Sequence, residues 1–284
     1  MGGGNQLMSK KNRISKIILA FFMWMIAVVF FCPIYYLIVS TFKSAEEMTR
    51  NPFGLPTAFD LSGYIVAWQK MNYPRAFMNT FIIAALTVVT SILLASFAAY
   101  SIARYKSRFN KFVFTLVLAG MMLPGQVSMV SLYNLVKGLG LVDNIFGIVV
   151  ITCAGNAMLP LFLFRSFITT SIPIEIEEAA QIDGCGLLKR FFLIVLPLLK
   201  PVVATAAIII ALGTWNDYLN PMLFLQSREN ATLLIEVNRN IGQFAIDWTS
   251  MFPMLVLAVL PLSIFYFIMQ KQIISGVAAG AVKG

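Results

Sequence analysis

Long apolar runs alternate with short polar stretches along nearly the whole chain. About 20 consecutive apolar residues cross the ~30 Å hydrocarbon core of a bilayer. Six segments reach that length, at roughly 17–39, 77–103, 112–136, 144–168, 201–225 and 251–270. The third is interrupted at Pro124-Gly125, and the fifth carries Trp215, Asn216 and Asp217 in its second half. Such breaks survive in lipid only where they face protein or a watery cavity. The pattern predicts an all-α, polytopic membrane protein. Residues 1–16 form an N-terminal segment, 17–271 a six-span domain and 272–284 a tail.

Composition agrees with that reading. A chain that is 59% hydrophobic and 12% charged, with a mean hydropathy of +0.83, has more apolar surface than a soluble fold of this length can hide. The formal charge of +9 acts here as a topology signal. With the N-terminus inside, 14 of the 21 lysines and arginines fall on the inner segments and 7 on the outer loops. The stretch "RYKSRFNK" (104–111) holds four bases and no acid. This bias places both termini in the cytoplasm and removes any need for nucleic acid as a partner. Lys10, Lys11, Arg13 and Lys16 precede the first run as they would a signal peptide, but that run is long and lacks a small-residue cleavage site. It reads as a retained span. Residues 1–7, "MGGGNQL", suggest no structural role.

The side-chain inventory narrows the chemistry. There is no histidine, so the commonest proton shuttle and zinc ligand is missing. Cys32, Cys153 and Cys185 have no metal-ligand spacing, and two lie in apolar runs where they serve as small hydrophobes. No catalytic constellation and no metal site emerges. The sequence also contains no G-x-x-x-x-G-K-[ST] phosphate loop, so it predicts no ATPase of its own.

One segment stands apart. Of 12 acidic residues, Glu175, Glu177, Glu178 and Asp183 fall in "EIEEAAQIDG", within the long inner segment 171–197 between the fourth and fifth runs. Pro173 suits a first helical position, and Glu175 falls in the first turn, where carboxylates favour the positive helix end. Gly184 is placed to stop the helix in a left-handed cap. A second, more apolar piece runs from Leu187 to Leu196, and Pro197 and Pro201 punctuate the entry to the fifth span. The physical reading is a carboxylate-edged helix–turn–helix knob with a low-profile patch at Ala179 and Ala180. A solvated connecting loop fits the same pattern.

Glu178-Ala179-Ala180, Gly184, Ile194 and Leu196-Pro197 match, at every spacing, the EAA signature of ABC-importer permeases. The stretches "MMLPGQVSMVSLYNL", "GLVDNIFGIVV", "LPLFLFRSF", "GTWNDYLNP" and "GVAAGAVKG" extend the likeness from about Pro33 to the end. The chain thus resembles the maltose-type carbohydrate permeases, in particular the six-span partner of the two permease subunits. The resemblance implies a non-catalytic subunit of a bacterial cytoplasmic membrane importer. Glu178, Ala179, Ala180, Asp183 and Gly184 would form the knob that docks on a separate ATPase, with Ile194, Leu196 and Pro197 linking it to the bundle. It implies as partners a second permease, two ATPase subunits that use ATP and Mg2+, and an extracellular solute-binding protein. No cofactor is expected in this chain. The tail would contact the ATPase pair, and the outer loop at about 226–250 would enter the binding protein. Cys185 departs mildly from the small residue usual at its position.

Polar groups at membrane depth mark the candidate path. Trp215, Asn216, Asp217, Tyr218 and Asn220 lie in the outer half of the fifth run, with Gln126 and Asn156 near mid-depth. Amides, a carboxylate and aromatic faces suit a neutral polyhydroxylated solute, a di- or oligosaccharide, better than ions. Amides in spans also bond neighbouring helices, and Trp and Tyr anchor at interfaces. Other readings stay open: a polyol or glycerol-phosphate-like solute for the same importer class, or a secondary transporter. The last would be expected to carry charged relays and an internal repeat, and the chain has neither beyond Asp217.

Overall fold

The computed structural model describes the backbone of residues 3–241 and 247–281, and the side chains of 15–241 and 247–270. The chain divides into two compact units, one of residues 1–70 with 240–257 and one of 71–239 with 258–284.

The first unit holds α1 (Gly3–Ser40), α2 (Ala45–Arg50), α3 (Ser62–Lys70) and residues 240–257. From Ser15 to Ser40, α1 is apolar enough to span a bilayer, and its most apolar 18-residue stretch buries nothing in the protein, although Val39 and Ser40 at the helix end are buried. Such a stretch needs lipid or another chain. Beyond it the backbone turns tightly around Lys43, whose buried Nζ donates to the carbonyls of Asn51 (2.7 Å) and Pro52 (3.0 Å). After α2 the residues Ser62–Lys70 form α3. Its last residue, Lys70, pairs with Asp247 at 3.2 Å. Hydrogen bonds from Thr249 and Ser250, with the Lys70 charge, hold the Asp247 carboxyl well below the usual carboxylate range.

The second unit is built around α4 (Tyr73–Arg104), 32 residues with Pro74 in the first turn and no glycine or later proline. Thr80, Ala84, Thr87, Ser91, Ala95 and Ala99 recur at intervals of three or four and are all buried. A stripe of small side chains lets neighbouring helices approach closely where lipid supplies no hydrophobic drive between them. Against this stripe lie α7 (Ile145–Asn156), α8 (Met158–Ser171) and α12 (Lys200–Trp215). The Thr87 and Thr152 hydroxyls hydrogen-bond at 2.8 Å between α4 and α7.

The remaining apolar runs are broken. α5 (Arg108–Met121) and the segment Gly125–Gly138, which contains α6 (Met129–Gly138), meet at 98° across Pro124-Gly125. α7 and α8 bend by 46° at Ala157. Between α8 and α12 come α9 (Ile174–Ile182), α10 (Leu187–Arg190), a π-helical turn (Phe191–Val195) and α11 (Leu196–Leu198). The segment Leu187–Leu198 meets α12 at 76°. Among the described residues, three helices are long and apolar enough to cross a membrane, and three bent pairs pass the same test together.

The fifth run differs from expectation. It stops as a helix at Trp215 rather than continuing to 225, and α13 (Leu219–Phe224) begins after a turn. The reason is local: Asp217 Oδ1 accepts the Asn220 N–H (3.1 Å) and its Oδ2 accepts Asn220 Nδ2 (2.7 Å). Short polar side chains offer the backbone this alternative to an unbroken ladder.

The stretch after Leu225 is also more ordered than a polar loop suggests. α14 (Leu233–Arg239) buries Leu233, Ile235, Glu236 and Val237. Asp143, in a left-handed conformation (φ 56°), accepts at Oδ1 from Gln226 N, Ser227 N, Ser227 Oγ and Asn230 Nδ2, between 2.9 and 3.1 Å. Burial pushes the Asp143 carboxyl up, but these donors outweigh it and hold the group below the ordinary carboxylate value. A depressed folded pKa gives stabilisation that is complete above about pH 3.9, the unfolded reference. It is lost as pH falls through the folded value. Asp143→Ala is expected to loosen residues 226–230 at neutral pH, read as faster limited proteolysis there. Unchanged cleavage would show that the bonds from Asn79 of α4 to the Glu229 and Ala231 carbonyls hold the loop without it.

The last helix, α15 (Trp248–Ala281), starts in the first unit and continues from Ala258 in the second. Its backbone carries the helix through most of the 272–284 tail. Residues 282–284, like Met1, Gly2 and 242–246 of the loop expected at about 226–250, lie outside the described residues.

Candidate functional site

Two features of the second unit carry the candidate chemistry. The first is the helix–turn–helix at 171–197. Pro173 stands one residue before the helix, as N-cap, with φ −61° and ψ 138°. Gly184 takes φ +80°. The Cys185 N–H bonds the Ala180 carbonyl (2.9 Å) and the Gly184 N–H bonds that of Gln181 (3.1 Å). This paired closure satisfies the helix-end carbonyls and requires a residue at ease in the left-handed region. Arg190 Nη1 then donates to Gln181 Oε1 at 2.6 Å, tying the second helix back to the first.

The knob has an inside and an outside. Glu178, Ala179, Asp183 and Gly184 are exposed, and Ile182 is 86% exposed at the tip. Ala180 is buried under them. Ile194 and Leu196 are partly buried and Pro197 is exposed. The deepest anchors are residues that the signature spacing did not single out: Phe191, Val195 and Leu199, each four apart and at most 1% exposed. Phe191 stacks on Phe97 of α4 with ring centroids 4.1 Å apart. A period of four is the sequence signal that could have found them.

Glu177 is the other residue that sequence reasoning passed over. It differs from its three acidic neighbours in being 4% exposed. Its Oε2 accepts from the Tyr100 hydroxyl (2.7 Å) and its Oε1 from Arg104 Nε (2.7 Å). Arg104 Nη2 also donates to the Ile172 carbonyl (2.8 Å). A buried, hydrogen-bonded pair of this kind costs about 3–5 kcal/mol to break by removing one partner.

The second feature is a cleft of about 720 Å3. Among its lining residues are Gln126, Asn156, Asp217 and Asn220, with Ser128 and Thr152 beside them. It sits where three chain breaks converge: Pro124-Gly125, the α7–α8 bend and the Asp217 turn. Backbone polar groups are freed at such breaks, so the chain places its polar lining there. Gly120, Gly125, Gly155 and Gly213 widen the wall, and no lysine or arginine is among the described residues that line it. Asn156 Nδ2 donates to the Thr152 carbonyl at 2.9 Å.

The other candidates are used elsewhere. Trp215 Nε1 donates to the Ala258 carbonyl (3.3 Å) and its ring meets Phe77 edge-on. Asn216 Nδ2 donates to the Leu212 carbonyl at the end of α12 (2.9 Å). The Tyr218 hydroxyl donates to Asn238 Oδ1 (2.8 Å), just inside α14. Four of the seven path candidates therefore share one cleft, and three hold the fold around it.

The described residues thus form a helical bundle with broken spans, a polar cleft at the breaks and an anchored, exposed knob. Comparison with known proteins gives the family. Residues 91–278 match the model of the binding-protein-dependent transport system inner membrane component, and the chain belongs to that family. It is 35% identical over 259 residues to the melibiose/raffinose/stachyose import permease protein MelC of Bacillus subtilis (strain 168), covering 91% of this chain and 94% of that one. It is 33% identical over 256 residues to the multiple sugar-binding transport system permease protein MsmG of Streptococcus mutans, covering 88% and 91%. A solved bacterial ABC transporter involved in import of the acidic polysaccharide alginate superposes with a TM-score of 0.81 at 25% identity, covering 92% of this chain and 97% of that chain.

Proposed function

We propose that this chain is one of two permease subunits of an ABC importer for a neutral di- or oligosaccharide. Its α9–α10 knob docks on a separate cytoplasmic ATPase, and solute passes by the cleft at the three helix breaks. The observation that carries the reading is the knob itself: a capped turn with an exposed apolar tip, Ile182, whose base is locked into the bundle by Phe191, Val195 and Leu199. A solvated connecting loop needs neither the exposed isoleucine nor the buried anchors.

The cleft supports the choice of solute. Its amides and hydroxyls pair with sugar hydroxyls. Asp217 and the absence of cations from the lining disfavour a phosphate ester or an acidic sugar on this chain's share of the path. ATP and Mg2+ belong to the ATPase subunits, and a solute-binding protein would deliver the sugar at the opposite face.

The test is uptake of labelled sugar into liposomes holding the chain with its second permease, ATPase and binding protein. ATP-dependent uptake is expected, and uptake by the chain alone on an ion gradient would end this reading in favour of a secondary transporter. A sharper version uses Ile182→Asp. Full burial of an isoleucine is worth about 1.5–3 kcal/mol, so docking affinity should fall by about 10- to 100-fold. Membrane insertion should be unchanged because the side chain is exposed at the tip, away from the core of the bundle. Wild-type co-purification of the ATPase with this variant would remove the knob from the interface.

A further inference from the structure

α4 joins the knob to the opposite end of its unit through a buried polar clamp at each of its ends. At the Arg104 end, Tyr100 and Arg104, one turn apart, hold Glu177 and the Ile172 carbonyl at the root of α9. At the Tyr73 end, buried Asn79 donates through Nδ2 to the carbonyls of Glu229 (2.8 Å) and Ala231 (3.0 Å). The neighbouring Thr80 Oγ1 accepts the Leu233 N–H at 3.0 Å. Arg75 adds an exposed ion pair to Glu229 at 3.8 Å.

The helix between the clamps is suited to transmit displacement. Its 32 residues span about 48 Å at ~1.5 Å per residue. It has no interior glycine or proline, whereas the bent pairs of the same unit turn by 98°, 46° and 76°. A proline, a glycine or a π-turn is the usual cause of a kink, and α4 has none of these between its two clamps. Both clamps are buried and hydrogen-bonded, so neither end can slip without stranding polar groups away from water.

We propose that Glu177 and Asn79 are positioning residues at the two ends of one rigid rod. Through it, movement of the knob is coupled to residues 229–233 at the far end of the unit. The proposal rests on the permease reading above, and gives that reading a route within this subunit.

The experiment uses the complete transporter in lipid nanodiscs, with basal ATP hydrolysis and its stimulation by sugar-loaded binding protein measured separately. Assembly and stimulation of the wild-type complex test the permease reading, and their failure would count against that reading alone. Given both, Glu177→Gln and Asn79→Ala should each cut stimulation by about 10-fold, within the usual range of coupling between sites. Assembled complex and basal hydrolysis should stay at wild-type levels. A merely structural loss would lower all three together.

The double variant decides the route. Two elements of one rod fail in series, so the pair should lose about 10-fold, whereas independent routes would multiply to about 100-fold. Multiplied losses, or full stimulation in either single variant, would overturn the proposal. If Glu177→Gln fails to assemble, the same cycle is run with Tyr100→Phe, which removes one hydroxyl and keeps the ring beside Phe191. The same in-series result is then required.

Discussion

Gly184→Val is expected to abolish ATP-driven uptake while leaving the chain in the membrane at the wild-type level. The space around Gly184 is open, with no neighbouring atom within 4 Å of the point a Cβ would occupy, so crowding is not the cause. The backbone is. At φ +80° a residue with a Cβ pays about 1–2 kcal/mol, and a β-branched one is a genuine outlier. Relief comes from opening the turn, which breaks the Cys185–Ala180 and Gly184–Gln181 bonds and frees the tip that carries Ile182. Because Phe191, Val195 and Leu199 keep their places in the core, the bundle stays folded and only the docking geometry is lost. Gly184→Asn is the control, since asparagine enters the left-handed region more readily, and it should keep most of the uptake. Measured side by side, equal uptake by the valine variant and the wild type would remove the turn from the coupling pathway.

Asp217→Ala is the second large expected effect, with uptake down severalfold and assembly unchanged. Asp217 caps the turn into α13 through both of its oxygens and also lines the cleft. Losing a cap costs about 1 kcal/mol, too little to unfold the unit but enough to shift the Asp217–Asn220 wall. Asp217→Asn separates the two roles. Asparagine keeps the acceptor for the Asn220 N–H, and its amide can donate to the Asn220 side-chain oxygen once that amide turns over, so uptake near the wild-type level assigns the residue to shaping the wall. A loss as large as that of the alanine variant assigns the negative charge itself to the solute path. The readout is the rate of sugar uptake at matched amounts of assembled transporter.

Much of this was legible in the chain. The apolar runs marked where the helices lie, because the bilayer sets a length that composition must meet. Pro124-Gly125 marked the sharpest break. Gly184 marked a left-handed cap, since few residues suit that conformation, and the cap is there. What escaped depended on pairs far apart in the chain. Glu177 reads like its neighbours Glu175 and Glu178 until α9 folds back on α4 and brings it to Arg104, 73 residues away. Trp215, Asn216 and Tyr218 carry hydrogen-bonding groups just as Gln126 and Asn156 do, and nothing local says which will face the cleft and which will bond a neighbour.

By itself the sequence determined the class of solvent, the helical content, two of the helix breaks (at Pro124-Gly125 and at Gly184) and the presence of a coupling-type signature. These follow from hydropathy, proline, glycine and capping, which act within a few residues. Only the tertiary structure decided which acid is buried, which amides share a cavity and which helix runs unbroken from the knob to the loop at 229–233. Those outcomes depend on which polar groups find partners once water is excluded. A lone buried donor or acceptor costs far more than a paired one, and the partner is supplied by the fold, not by the neighbouring residue.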